Sequence, residues 1–178
     1  MSFDRLYIWM LMLLFGFKVQ AQSDSALQIR VGLISNKMLG FYWLNGLSAE
    51  LNSKKLCKGS FDLGLNIYSS SLGSAFLSNA IPVHAMEATI QKRFRAKRKV
   101  NPVIGLNVGF AKAFYGSNFE QLKQSSLLLA PEFGVNYVVG GKLSARFCLG
   151  YNSINGTGVR GPGFVYPVCL RFKLIYSL

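Results

Sequence analysis

The last eleven residues, "VCLRFKLIYSL" from Val168 to Leu178, hold a two-residue rhythm to the end of the chain. Val168, Leu170, Phe172, Leu174, Tyr176 and Leu178 share one parity, while Cys169, Arg171, Lys173, Ile175 and Ser177 stand between them. A period of two belongs to a β-strand with unlike faces. Here one face is large and apolar and the other carries two cations.

The same alternation recurs upstream. "ALQIRVGLI" sets Leu27, Ile29, Val31 and Leu33 against Gln28, Arg30 and Gly32, and "GLSAELN" sets Leu47, Ala49 and Leu51 against Ser48, Glu50 and Asn52. In "SFDLGLNIY", Phe61, Leu63, Leu65 and Ile67 oppose Asp62, Gly64 and Asn66. "HAMEATIQKRF" sets Met86, Ala88, Ile90 and Phe94 against Glu87, Thr89, Gln91 and Arg93. Lys92 interrupts its apolar face near the strand end, where a lysine can snorkel. "VIGLNVGFAKAF", "LLLAPEFGVNYVV" and "LSARFCLGYN" continue the pattern, so eight segments fill Ala26 to Leu178. Convincing helical periodicity is missing.

The joins alternate as well. "KMLGFYWLN", "SSSLGSAFLSNAIPV", "YGSNFEQLKQSS" and "SINGTGVRGPGF" are rich in Ser, Gly, Asn or aromatics, whereas "SKKLCKG", "RAKRKVNP" and "GGK" are shorter and basic. Eight passes put both termini and the short joins at one end and the longer loops at the other.

Ahead of the strands, "LYIWMLMLLFGF" is a twelve-residue apolar run, long enough for a signal-peptide core and short of the roughly 20 residues of a spanning helix. Val19 and Ala21 fit a cut after residue 21, which divides the chain into a signal peptide, 1–21, and a barrel domain, 22–178. The cut removes Arg5, Lys18 and Asp4 from a chain of 20 basic and 7 acidic residues, leaving a net charge of +12. Export argues against nucleic acid as the partner of that charge. Cys57, Cys148 and Cys169 are too few for a disulfide-built module, although Cys148 and Cys169 would face each other in one strand register.

Two solvents fit an alternating sheet. A soluble barrel or sandwich points its apolar face inward, and a membrane barrel points it at lipid. The opposite faces here hold mainly Gly, Asn, Ser and Thr, with Glu50, Asp62, Glu87 and Glu132 balanced by Arg30, Arg146, Arg171 and Lys173. Small residues and balanced charge suit a narrow, filled lumen, where ions need partners. Aromatics gather toward segment ends: Phe41, Tyr42, Trp43, Phe110, Phe114, Tyr115, Tyr151, Phe164, Tyr166 and Tyr176. Such rings favour the membrane interface. Lipid tolerates no open sheet edge, so the last strand must close on the first. Pro131 and Pro167 are expected at the starts of descending strands, where a missing ladder bond costs least.

With its leader, eight alternating strands and apolar terminal rhythm, the chain resembles the small outer-membrane β-barrel proteins of the OmpA/OmpX type, and most of all the barrel-only versions common in Bacteroidetes. The resemblance implies an all-β, eight-stranded antiparallel up-and-down transmembrane barrel, with termini and short joins in the periplasm. It implies outer-membrane lipid and lipopolysaccharide as surroundings and the barrel-insertion machinery as an assembly partner. In that family the final strand is the assembly signal, a role that falls here on Val168, Leu170, Phe172, Leu174, Tyr176 and Leu178. Leu178 stands where Phe or Trp is usual.

No motif demands chemistry. His84 is the sole histidine, and "HAME" puts Met86 where a lipid A deacylase-like pattern has serine. One His and three scattered Cys give no metal-ligand spacing, the glycine-rich stretches read as turns, and no cofactor is expected. "KRFRAKRK" grips phosphate by charge and meets lipid headgroups first. Eight strands leave room for side chains rather than a metabolite pore. Arg30, Glu50, Glu87, Glu132, Arg146 and Arg171 are therefore expected to form an interior ion-pair plug. The reading is a non-enzymatic outer-membrane barrel with a structural envelope role or loop-mediated binding. Its alternatives are a lipid A-modifying barrel hydrolase and a soluble secreted ligand-binding β-barrel.

Overall fold

The structure, a computed structural model, describes residues 27–38, 43–53, 60–70, 82–114, 125–152 and 168–178. They form eight strands: β1 (Leu27–Met38), β2 (Trp43–Ser53), β3 (Phe61–Ser69), β4 (Val83–Arg93), β5 (Val100–Ala113), β6 (Ser125–Gly140), β7 (Leu143–Tyr151) and β8 (Val168–Ser177). Each strand pairs antiparallel with its neighbours in sequence, and β8 pairs with β1 to close a barrel. The expected leader, Cys57, Lys54, Lys55, Lys58, Phe41, Tyr42, Tyr115, Phe164, Tyr166, Pro167 and most of the longer joins lie outside the described residues.

The stagger of the pairing sets the shape. From Gln28 one row of paired residues passes Asn52, Asp62, Gln91, Gly105, Glu132, Gly150 and Cys169, then returns to β1 at Met38, ten residues along. Such a stagger over eight strands tilts them about 40° from the barrel axis. Strands of 9 to 16 residues at that tilt cross an apolar band of roughly 25 Å.

Alternation then sorts every strand into an inward and an outward row. The outward row is an apolar belt in which Leu127, Phe133 and Leu33 are each more than 60% exposed. The inward row holds Arg30, Glu50, Asp62, Asn66, Glu87, Asn107, Glu132, Arg146, Arg171 and Lys173, all buried. A soluble protein would aggregate through such a belt, whereas lipid matches it. The barrel is inside-out relative to a water-soluble one.

Three details depart from the sequence reading. Pro131 is the seventh residue of β6 rather than its start, because β6 rises well beyond β7. Pairing of β6 with β7 begins only at Glu132 with Gly150, so Pro131 sits where that side of the ladder stops and its missing N–H costs least. Cys148 and Cys169 both point into the lumen on adjacent strands, yet they lie diagonally: Cys148 is opposite Arg171 and Cys169 opposite Gly150. A diagonal pair is about 7–8 Å apart, beyond comfortable disulfide reach, and both thiols are free. Finally, "KMLGFYWLN" is mostly strand, since β1 runs to Met38 and β2 starts at Trp43.

Candidate functional site: the filled lumen

The six expected charges all enter the lumen, because Arg30, Glu50, Glu87, Glu132, Arg146 and Arg171 occupy inward-facing strand positions. They meet in two groups. Nearer the end that holds the termini, Glu50 faces three cations: Arg146 Nη1 at 2.7 Å, Lys173 Nζ at 3.0 Å and Arg30 Nη2 at 3.2 Å. Asp62 beside it pairs with Arg30, with Arg93 Nε at 2.9 Å and with Arg146 Nη2 at 3.2 Å. Arg146 reaches across the barrel from β7 to both β2 and β3, so it ties the lumen transversely.

Further up, Arg171 is held between Glu132 and Glu87, the latter at 2.9 Å. Tyr68 donates its hydroxyl to Glu87 at 2.7 Å, and the Arg171 guanidinium lies 5.8 Å from the Tyr68 ring centroid. Gln91 joins the two groups, donating its amide N–H to Glu132 and accepting from Arg146. Lys173 also donates to Asn66 at 3.0 Å. Glycine makes room for this linkage: a Cβ on Gly105 would stand 2.6 Å from the Gln91 side chain and 3.2 Å from the Glu132 carboxylate.

Two further layers cap the network. Toward the loop end, Ile34, Leu44, Tyr68, Val83, Ala85, Ala111, Ala113, Leu128 and Cys169 form a buried apolar cluster inside the barrel. Toward the terminal end, the Asn52 amide donates to Asp62 and to the Phe61 carbonyl, both at 2.7 Å, and Asn136 donates to Asn101. The lumen is thus amide, ionic and apolar in ascending order. Asp62, Lys173, Arg93, Tyr68 and Gln91 belong to it beyond the six expected charges. The strand parity already put them on the inward face, but only the closed barrel brings them into contact.

All four carboxylates among the described residues point inward, and the outward cations cluster at the two rims. At the loop end Lys37 lies 4.5 Å from the Trp43 ring and Lys112 lies 5.1 Å from Phe114, whose ring meets His84 edge-on. At the terminal end Lys92 covers Phe61 and Phe94, and Lys142 covers Tyr176. His84 faces outward opposite Ser69, whereas Glu87, the acid nearest in sequence, points into the barrel. No carboxylate among the described residues completes a Ser-His-acid set there. Nor does any group of three His, Cys, Asp or Glu among them suit a metal ion.

With this geometry in view, the comparisons with known proteins concern fold. No protein-family model and no curated protein matches the chain. Solved structures do match. The N-terminal β-barrel domain of Pseudomonas aeruginosa OprF aligns with a TM-score of 0.63 at 10% identity, over 85% of this chain and 97% of that one. The de novo designed TMB2.3 gives 0.57 at 11% identity, over 88% and 98%. Ail, the attachment invasion locus protein of Yersinia pestis, solved in complex with the heparin analogue sucrose octasulfate, gives 0.51 at 15% identity, over 85% and 97%. The fold is that of the small eight-stranded outer-membrane β-barrels. The chain is, by fold and by its lipid-matched belt, an integral barrel of the bacterial outer-membrane type.

Proposed function

We propose that this protein is a non-enzymatic outer-membrane barrel that passes no bulk solute. It braces the envelope as a rigid, sealed cylinder and carries its loops on the cell surface. The observation that carries this reading is the lumen, where ion pairs run from β2, β3 and β4 across to β7 and β8 beneath an apolar layer. A network of buried charges whose members all have partners is costly to open, because each displaced ion loses its compensation. Lipid and lipopolysaccharide surround such a barrel, and the barrel-insertion machinery assembles it.

The outward row of β8, Val168, Leu170, Phe172, Leu174 and Tyr176, together with Leu178, is the proposed assembly signal. Its end is built into the seam, since the Leu178 N–H donates to the Ile29 carbonyl at 3.0 Å. Conductance in planar bilayers tests the sealed lumen. The expected record is flat, with no stable open level, and a large steady conductance would refute it.

A further inference from the structure

The β4–β5 turn is the most strongly charged surface among the described residues, and the lumen leaves it unused. Arg95, Lys97, Arg98 and Lys99 are exposed there within five positions, and Lys92 adds a fifth exposed cation just above, on β4. None of the five has an ion pair among the described residues, whereas Arg93, next in the chain, turns inward to Asp62. Phe94, 43% exposed, stands among them with the Lys92 ammonium 5.3 Å from its ring.

The turn is also built to hold one shape. Arg98 N–H donates to the Arg95 carbonyl at 2.8 Å, and the buried Asn101 amide donates to the carbonyls of both Arg95 and Arg98, at 2.7 and 2.8 Å. Arg95 has φ 55°, a left-handed conformation that glycine or asparagine adopts more easily. Both flanks are braced: Arg93 N–H donates to the Ser60 carbonyl at 2.7 Å, and Val138 N–H donates to the Lys99 carbonyl at 2.8 Å. A solvated charge run needs no such fixing.

We propose that this turn is a clamp for the phosphate of anionic phospholipid headgroups in the leaflet at the terminal end of the barrel. The position fits: the turn adjoins the lower aromatic girdle, where Phe94 enters the interface and the cations reach headgroup level. Tied carbonyls point their hydrogen-bonding capacity at Asn101 and leave the cationic side chains to face the lipid. The proposal rests on the membrane reading above and asks which lipid that end selects.

The test uses the full barrel domain refolded in vesicles of phosphatidylcholine alone or mixed with phosphatidylglycerol, with retained lipids counted by native mass spectrometry. Insertion is checked separately by heat-modifiable gel mobility in the neutral vesicles, so a failure of the membrane reading appears there and not as a lost lipid preference. Wild type should retain phosphatidylglycerol preferentially, and K97Q/R98Q/K99Q should lower that preference by about fivefold or more. Asn101→Ala, which keeps every charge but unties the turn, should also weaken it. Lys112→Gln at the opposite rim should change it least. An inserted triple variant with wild-type preference would overturn the proposal. Tighter binding of inorganic polyphosphate than of phosphatidylglycerol vesicles at the turn would overturn it too, in favour of a soluble polyanion.

Discussion

Glu50 is the group on which the lower lumen depends, and replacing it by glutamine isolates its charge. One carboxylate compensates Arg146, Lys173 and Arg30 at 2.7, 3.0 and 3.2 Å, at a site 1% exposed. Asp62 can continue to pair with Arg30, Arg93 and Arg146, but Lys173 loses its only ion pair among the described residues. Removing one member of a buried pair costs about 3–5 kcal/mol, because the partner's charge stays desolvated. Glutamine keeps an acceptor oxygen and a similar volume, so E50Q should fall near the lower bound, about 3 kcal/mol. Urea unfolding of the barrel in vesicles, followed by Trp43 fluorescence and gel mobility, measures the loss. Adding Lys173→Met should recover part of it, about 1–2 kcal/mol, since that change removes the orphaned cation. An E50Q barrel within 1 kcal/mol of wild type, with no coupling to Lys173→Met, would refute the claim that these charges are desolvated and mutually dependent.

Two further outcomes follow from the strand packing. Gly46 faces the lumen where β2 and β3 approach closely, and a Cβ there would stand 1.7 Å from the Ile67 carbonyl oxygen. Gly46→Ala should therefore force the two strands apart and destabilise the barrel by about 1–3 kcal/mol in the same unfolding assay. A neutral effect would mean that the pairing is looser than it looks. Deleting Tyr176–Leu178 removes the pairs Val31 with Tyr176 and Leu143 with Tyr176 and the Leu178 bond to Ile29, at both edges of β8. The truncated chain should fail to insert, as read by loss of the heat-modifiable band, and normal insertion would contradict β8 as the closing strand.

The strands were legible because each repeats a single physical contrast, lipid against lumen, at a period of two. The terminal "VCLRFKLIYS" is the clearest case, and its inward Arg171 and Lys173 follow from parity alone. Partnerships were less legible. Arg146 meets Glu50 from 96 residues away, a contact that exists only after the row starting at Gln28 closes ten residues up β1. The apolar upper lumen was hidden for another reason. Near the loop end both faces turn apolar, as in "SSLLLA" before Pro131: parity puts Leu127 and Leu129 outside and Leu128 inside, but the inward side chain no longer differs in kind from the outward ones. The same loss of contrast concealed how far β6 rises and left Pro131 apparently at a strand start. Arg93 belongs by parity to the inward face of β4 and by charge to the basic run "KRFRAKRK", and it is the one cation of that run that the lumen captures.

A cysteine scan from Val168 to Ser177 in a background without the native cysteines, with a fluorophore on each thiol and brominated lipid as quencher, tests the central claim most directly. If the apolar row faces lipid, quenching should alternate: strong at 168, 170, 172, 174 and 176 and weak at 169, 171, 173 and 175, where the side chains are buried in the lumen. Uniform quenching, or the opposite alternation, would contradict an inside-out barrel closed by β8.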